Sequence, residues 1–144
     1  MFDALFAGLF TDDQILCMRS ADAVEKITAV HPEYLVPYKT ELLKSLVKVD
    51  QAQVRWHVAP MLARLPLCKS EQATAIEVLK GYMNDPSSIV RTMAMQALYD
   101  LAMRYEALRP VALLHINELV VIGTPAMKAR GKKLLAKLNR LITV

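Results

Sequence analysis

The sequence predicts an all-α protein built from about four antiparallel helix pairs, and three observations support this prediction. Leu and Ala, which favour helices, are the commonest of the 144 residues, whereas the helix breakers Gly and Pro number only 4 and 7. Apolar residues recur at the spacing of one helix face and do not alternate as they would in a strand. That spacing is itself repeated every 36 to 38 residues, which is typical of helical repeats.

The repeat is clearest at three anchor residues, Val54, Val90 and Met127. Apolar or small residues stand 4, 7, 8 and 11 positions after each anchor, which places all five on one face of a helix. A weaker copy begins at Leu16, and its following positions are Ser20, Ala23, Val24 and Ile27. We expect all four sets to form the core, with the first copy degenerate because a terminal repeat has one face in water.

Eight helices follow from these patterns and from the breaks between them. Asp12 and Asp13 precede one helix, Pro32 opens another, and the segments NDPSS (84–88) and GTP (123–125) separate two further helix pairs. The predicted pairs are 2–10 with 13–29, 32–48 with 51–66, 70–83 with 86–104, and 107–121 with 125–142. No linker is long enough to separate domains. We therefore predict one domain over 1–144, with approximate units 1–30, 31–67, 68–105 and 106–144.

The first helices of the second and fourth pairs share a proline. Pro37 and Pro110 each stand 17 residues before an anchor, and the apolar positions that follow also correspond between pairs. These positions are Leu43, Leu46 and Val47 in the second pair, Leu79, Tyr82 and Met83 in the third, and Ile116, Leu119 and Val120 in the fourth. A proline inside a helix removes a backbone hydrogen bond, so we expect a shared bend at Pro37 and Pro110.

A short motif, an acidic residue followed by Val-Arg, opens two of the second helices. Its residues are Asp50, Val54 and Arg55 in one copy, and Asp85, Val90 and Arg91 in the next. Two-helix units of about 37 residues with this motif resemble the HEAT-repeat family. The resemblance implies a right-handed α-solenoid in which the Asp and Arg side chains bond between neighbouring units. An Arg flanked by core residues also needs such partners for its guanidinium. The predicted structural ladder is Asp50, Arg55, Asp85, Arg91 and Lys128, the last residue replacing Arg.

In a stack of this kind the second helices line the concave surface, and their outward positions are candidates for partner binding. We nominate Trp56, Gln96 and Tyr99 as the centre of that surface, because amphipathic aromatic residues are favoured anchors in protein interfaces. The prediction is a non-enzymatic scaffold or adaptor that binds another protein or a peptide. The structural alternative for Trp56 is that its indole is buried against the neighbouring first helix.

The net charge of +4 is distributed unevenly along the chain. Residues 1–122 hold 12 Lys and Arg against 14 Asp and Glu, whereas residues 123–144 hold six cations and no acid. This charge pattern predicts that the last helix attracts an acidic partner. The residues nominated for this contact are Arg130, Lys133, Lys137 and Arg140. A solvated end cap is one alternative, since cations suit a helix carboxyl end. Nucleic-acid binding, as a relative of the HEAT-like DNA glycosylases, is another, although no aromatic residue interleaves with these cations to stack on bases.

No group of residues in the sequence predicts catalysis, a metal or a cofactor. His31, His57 and His115 lie in separate hairpins, without a carboxylate or Cys at metal-ligand spacing. The His-Glu dipeptides that hold iron in some HEAT-like enzymes do not occur, nor do phosphate-loop or nucleophile motifs. We therefore expect no enzyme activity, no metal and no cofactor.

The remaining features concern the compartment and self-association. Cys17 and Cys68 are too few for a disulfide framework, which suits a reducing cytoplasm. The apolar stretch 111–122 is interrupted by polar residues and the segment 1–10 lacks a basic leader, so we expect no membrane contact.

One apolar stripe comprises Phe2, Leu5, Phe6, Leu9 and Phe10. This stripe predicts a helix docked on its own protein, and contact with a second copy is the alternative.

Overall fold

The computed structural model describes residues 1–45 and 48–142, and within them the chain is helical and contains no β-strand. The α-helices are α1 (Phe2–Ala7), α2 (Gln14–Val30), α3 (Lys39–Lys44), α4 (Ala52–Arg64), α5 (Lys69–Met83), α6 (Ser88–Arg104), α7 (Arg109–Ile122) and α8 (Pro125–Ile142). The predicted all-α class is confirmed. The chain forms two compact units, Met1–Val78 and Leu79–Val144.

Three of the predicted helices include a 3₁₀ segment beside the α-helix, and in the predicted helix 107–121 it is Glu106–Leu108, before α7. In the predicted helix 2–10, the 3₁₀ segment Gly8–Phe10 follows α1. In the predicted helix 32–48, the 3₁₀ segment Pro32–Tyr38 precedes α3, and the core positions Leu46 and Val47 lie outside the described residues. The other predicted helices agree with the observed bounds to within two residues.

The bend predicted inside a helix at Pro37 and Pro110 is wrong. Pro37 lies in the 3₁₀ segment before α3, and Pro110 lies in the first turn of α7, directly after the 3₁₀ segment Glu106–Leu108. A proline is tolerated in a first helical turn, because the backbone N–H that it lacks has no intrahelical partner there. Both prolines therefore mark a transition from 3₁₀ to α-helix rather than a kink.

The helices α2, α4, α6 and α8 begin at the same distance from their repeat anchors. The residue three positions before each anchor is, in chain order, Asp13, Gln51, Ser87 and Thr124. In every copy its carbonyl accepts the N–H of the residue after the anchor, at 2.9–3.1 Å. Side-chain oxygens of Asp13, Ser87 and Thr124 also accept the anchor N–H at 3.1–3.3 Å, as helix N-caps do. The sequence repeat thus corresponds to a repeated helix start.

The predicted core positions are buried in three of the four copies. All five positions counted from Val54, from Val90 and from Met127 are buried. In the first copy the prediction for Leu16 is wrong, because its side chain is 49% exposed. The buried face of α2 is turned by one residue, so that Cys17 is buried and its Sγ donates to the carbonyl of Leu9 at 3.1 Å. Burial raises the pKa of the Cys17 thiol.

In the unit Met1–Val78, aromatic stacking holds the N-terminal segment, and α2 packs on α4. The Phe6 ring stacks on Tyr38 with centroids 4.1 Å apart, and Phe6 and Leu9 are buried, which confirms the docking for these two residues of the apolar stripe; Phe10 is 45% exposed. Arg64 of α4 donates to the Glu25 carboxylate at 2.7 Å, to its carbonyl at 2.8 Å and to Thr28 at 3.1 Å. These charge-assisted bonds fix the register of α4 against α2.

Glu71 joins the start of α5 to the segment around α3. Its Oε1 accepts the backbone N–H of Cys68 at 2.9 Å and the ammonium of Lys39 at 3.0 Å. These donors, the Cys68 N–H above all, lower the pKa of Glu71 from 4.5 to about 2. Lys39 also donates to the carbonyl of Pro66 at 3.2 Å. The ammonium of Lys39 therefore binds both the turn before α5 and, through Glu71, the first turn of α5 itself.

Replacing Glu71 with Gln is expected to lower the urea midpoint of unfolding at pH 7, because the negative charge that both donors favour is removed. The folded-state pKa is depressed, so this stabilisation is fully present above about pH 4.5 and is lost as the pH falls towards 2. The difference between the two proteins should therefore shrink over that interval. Glu41→Gln, at an exposed position in α3, is the matched control and should change little. Equal midpoints for wild type and Glu71→Gln at pH 7 would contradict this account.

In the unit Leu79–Val144, α8 packs closely on α7 and α6. Gly131 permits that approach, since a Cβ atom at this position would lie 2.5 Å from Cγ2 of Val120 and 3.3 Å from Sδ of Met95. The apolar face of α8 is thereby fixed in the core of this unit. Among the described residues, no helix is long and apolar enough to cross a membrane.

Candidate functional site

Trp56, the first nominated binding residue, lies half-buried on α4. Its indole meets the ring of His57 edge-on, with centroids 5.8 Å apart. His57 is itself largely enclosed, and this burial lowers the pKa of its imidazole although Asp22 lies 4.0 Å away. Trp56 is therefore neither the fully open anchor nor the fully buried indole of the two interpretations.

The exposure expected for Tyr99 is wrong, since its side chain is only 9% exposed. The helix pattern identified the buried face that contains Val90 and Leu98. Met95 and Ala102, on the same side of α6 as Tyr99, are also buried, so burial extends around the helix. Gln96 is half-buried and donates to the Asp100 carboxylate at 3.1 Å. The positions nominated on α6 therefore do not form an open aromatic surface.

The ladder arginines make local contacts in the structure. Arg55 Nη1 donates to the backbone carbonyl of Asp50 and lies 3.8 Å from its carboxylate. Arg91 Nη1 donates to the carbonyl of Asp85 at 3.0 Å. Each guanidinium thus holds the turn before its own helix, while Lys128 lies half-buried at the equivalent place. Bonding between neighbouring repeat units stays a prediction.

The basic residues nominated on α8 form one exposed row, which we call the basic stripe: Arg130, Lys133, Lys137 and Arg140. Their spacings of three, four and three residues place them on one side of the helix, over about 15 Å at 1.5 Å per residue. Within residues 1–45 and 48–142, no carboxylate forms an ion pair with them. The stripe is therefore a row of solvated cations available to an anion.

The side of α8 that faces the core holds the basic stripe in a fixed place. Met127, Leu134 and Leu138 are each at most 5% exposed, and the close contact at Gly131 limits rotation of the helix. Because the helix is anchored along its length, the four cations project from a rigid backbone. Because the backbone is already ordered, less conformational entropy is lost when these cations form ion pairs with a partner.

A hollow with both polar and apolar lining lies at the carboxyl end of α8, within the same unit. It has a volume of about 310 Å³ and is lined by Glu106, Arg109, Pro110, Leu141 and Ile142. Leu141 is 40% exposed and Ile142 is 48% exposed. Sequence reasoning missed this hollow, because it depends on how the first turn of α7 meets the last turn of α8.

Another hollow of about 210 Å³ has a His–carboxylate pair at its edge. It is lined by Lys80, Met83, Asn84, His115, Glu118, Leu119 and Ile122. Nδ1 of His115 lies 3.1 Å from Oε2 of Glu118, one helical turn further along α7. No Ser, Thr or Cys lines this hollow, so the pair has no hydroxyl or thiol to activate there.

In the part of the chain that the structure describes, no three His, Cys, Asp or Glu residues are grouped to hold a metal ion.

The chain matches no known protein family, no curated protein and no solved structure at significant similarity. Fold and surface alone therefore define the class of protein: an all-helical chain with repeated helix starts that displays an exposed basic stripe on its last helix. Of the nominated binding residues, the structure brings the four cations together in one row.

Proposed function

We propose that this protein is a non-enzymatic binding module, a scaffold or adaptor, that recognises an acidic segment of another protein through α8. The observation that carries the proposal is the basic stripe: four exposed cations on one side of a helix, without ion-pair partners among the described residues. Complementary charge across an interface speeds encounter and selects partners, so such a stripe favours carboxylate-rich ligands.

We further propose that the helices stack as a HEAT-like α-solenoid. Its support is the common start of α2, α4, α6 and α8, each with its repeat anchor in the same position of the first turn. The two unpaired cysteines, Cys17 and Cys68, support the reducing cytoplasm as the compartment.

An acidic protein segment is favoured over nucleic acid by what surrounds the cations. Leu141 and Ile142 are exposed beside the end of the stripe, where they form the apolar part of the hollow with Pro110, next to Glu106 and Arg109. Apolar side chains of a peptide can enter such a hollow, whereas a phosphate backbone offers none. No Phe, Tyr or Trp occurs on α8 to stack on a base.

Fluorescence anisotropy with a labelled Glu-rich peptide tests the proposal. We expect binding in 50 mM salt that weakens on the order of tenfold at 200 mM, because exposed charge pairs are screened within a Debye length. A matched peptide with Gln in place of every Glu is the control and should not bind. Absence of binding by the Glu peptide at low salt would contradict the proposal.

Duplex and single-stranded oligonucleotides provide the competing arm of the same experiment. Neutralisation of four phosphates on a duplex would give a slope of about −4 for log K against log salt. We expect the oligonucleotides to bind more weakly than the Glu peptide at equal charge. Tighter oligonucleotide binding with that slope would replace the proposed ligand class by nucleic acid.

A further inference from the structure

The N-terminal unit exposes a compact group of apolar and acidic residues at the start of α2. We call it the acidic–apolar patch, and it comprises Phe10, Asp12, Asp13, Ile15 and Leu16. The three apolar side chains are 45%, 61% and 49% exposed in that order. Three large apolar residues are thus exposed within seven positions of the chain, and exposed apolar surface of this kind is a candidate for interaction.

Comparison with the other repeat copies shows that exposure of the anchor is particular to the first copy. The anchor positions equivalent to Leu16 are Val54, Val90 and Met127, and each is at most 1% exposed. Only in the first copy does the anchor face water, and there the Asp13 carboxylate caps α2 by accepting the N–H groups of Ile15 and Leu16. Ser87 and Thr124 cap their helices in the same way although their anchors are buried, so the exposure of Leu16 comes from the turned buried face of α2 and not from the cap.

Charge separates the two ends of the chain. Residues 1–33 contain six carboxylates and two Lys or Arg, whereas residues 123–144 contain six cations and no acid. The acidic–apolar patch combines Asp12 and Asp13 with three exposed apolar residues. The end of α8 combines the basic stripe with exposed Leu141 and Ile142. The two surfaces are thus complementary in charge, and both also offer apolar side chains.

We propose that the acidic–apolar patch of one copy binds the basic stripe of a second copy, head to tail. This inference rests on the proposed function, for which it identifies the acidic partner as another molecule of this chain. Asp12 and Asp13 face the cations, and Ile15 and Leu16 approach the hollow lined by Pro110, Leu141 and Ile142. The contact joins two different surfaces, so it is heterologous and can extend beyond a dimer.

Sedimentation velocity of two complementary variants tests the proposal. The first variant, Asp12→Lys with Ile15→Ser, disrupts the patch at exposed side chains and keeps the Asp13 cap. The second, Lys133→Glu with Lys137→Glu, disrupts the stripe at exposed positions. Wild type should form dimers and longer species that increase with concentration at 50 mM salt and dissociate at 500 mM. Each variant alone should sediment as a monomer, because every possible contact then contains one defective surface.

An equimolar mixture of the variants gives the decisive result. The intact stripe of the first variant can bind the intact patch of the second, so a heterologous contact predicts a 1:1 dimer and no longer species. A mixture that stays monomeric while wild type associates would overturn the head-to-tail contact. Wild type that remains monomeric at about 1 mM in low salt, where even a weak contact of roughly −4 kcal/mol would be visible, would also overturn it.

Titration of the same samples with the Glu-rich peptide separates this inference from the proposed function. Peptide binding by a chain that never self-associates would leave the basic stripe as an acidic-segment site and remove only the second copy as its partner. If neither peptide binding nor self-association occurs, both proposals fail. Circular dichroism of each variant should match wild type, since the substituted side chains are exposed.

Discussion

Replacing Arg130, Lys133, Lys137 and Arg140 together with Gln is expected to weaken binding of the Glu-rich peptide about 30-fold. Partly exposed ion pairs contribute roughly 0.5 kcal/mol each, so four of them amount to about 2 kcal/mol. Each 1.4 kcal/mol is about a tenfold change in affinity. The helix should remain folded, because Gln has a helix propensity close to that of Lys and Arg, and these side chains are exposed. Anisotropy at 50 mM salt measures the change.

A charge-matched variant separates the basic stripe from the net charge of the protein. Lys44, Lys48, Lys69 and Lys132 are also exposed, and replacing them with Gln removes the same four charges. Lys132 lies on α8 itself, on the other side of the buried face from the stripe. We expect this variant to bind the peptide within a factor of about three of wild type. Equal losses in the two variants would indicate general electrostatic attraction without a site.

Replacing Gly131 with Ala is expected to destabilise the protein by up to about 2 kcal/mol, although Ala is normally the better helix residue. The new Cβ would lie 2.5 Å from Cγ2 of Val120, a β-branched side chain with little rotational freedom. Overpacking of this kind costs about 1–3 kcal/mol, which exceeds the gain of about 1 kcal/mol in helix propensity. Urea unfolding followed by circular dichroism measures the difference.

Two further variants test the cause of that loss. Gly81 also lies inside a helix, α5, but a Cβ there would meet no atom within 4 Å. Gly81→Ala should therefore stabilise the protein by about 0.5–1 kcal/mol, the opposite sign from Gly131→Ala. Adding Val120→Ala to Gly131→Ala should recover part of the loss, because it removes the clashing methyl group. Stabilisation by Gly131→Ala alone would show that α8 does not approach α7 as closely as described.

Residue spacing was sufficient to predict the second helix of each pair, and the reason is physical. The anchors Val54, Val90 and Met127 begin patterns that bury one face, and Val90 and Met127 each follow a residue whose side chain caps the helix. Spacing could not predict the division of the first helices, since the same apolar pattern is compatible with a 3₁₀ turn before Lys39 or Arg109.

The exposure of a candidate site residue could be predicted where it depends on the pattern of one helix. It could not be predicted where it depends on the packing of a second helix. Arg130, Lys133, Lys137 and Arg140 share a side of α8 by spacing alone, and their exposure follows from the apolar face opposite. The burial of Tyr99 depends on what covers the second face of α6, which the pattern of α6 does not contain. The exposure of Leu16 likewise depends on which other elements pack against α2, and the pattern of α2 does not contain this information. The equivalent residue is buried in the three other copies.

The central claim is that α8 presents a binding surface and is not only a solvated end of the fold. Amide chemical shifts of the ¹⁵N-labelled protein, recorded during titration with the Glu-rich peptide at 50 mM salt, test it residue by residue. The account predicts that the largest shift changes fall on residues 130–140 and saturate together, and that they disappear in the Gln variant of the basic stripe. Saturable changes that leave residues 130–140 unaffected, or no saturable changes at all, would contradict it.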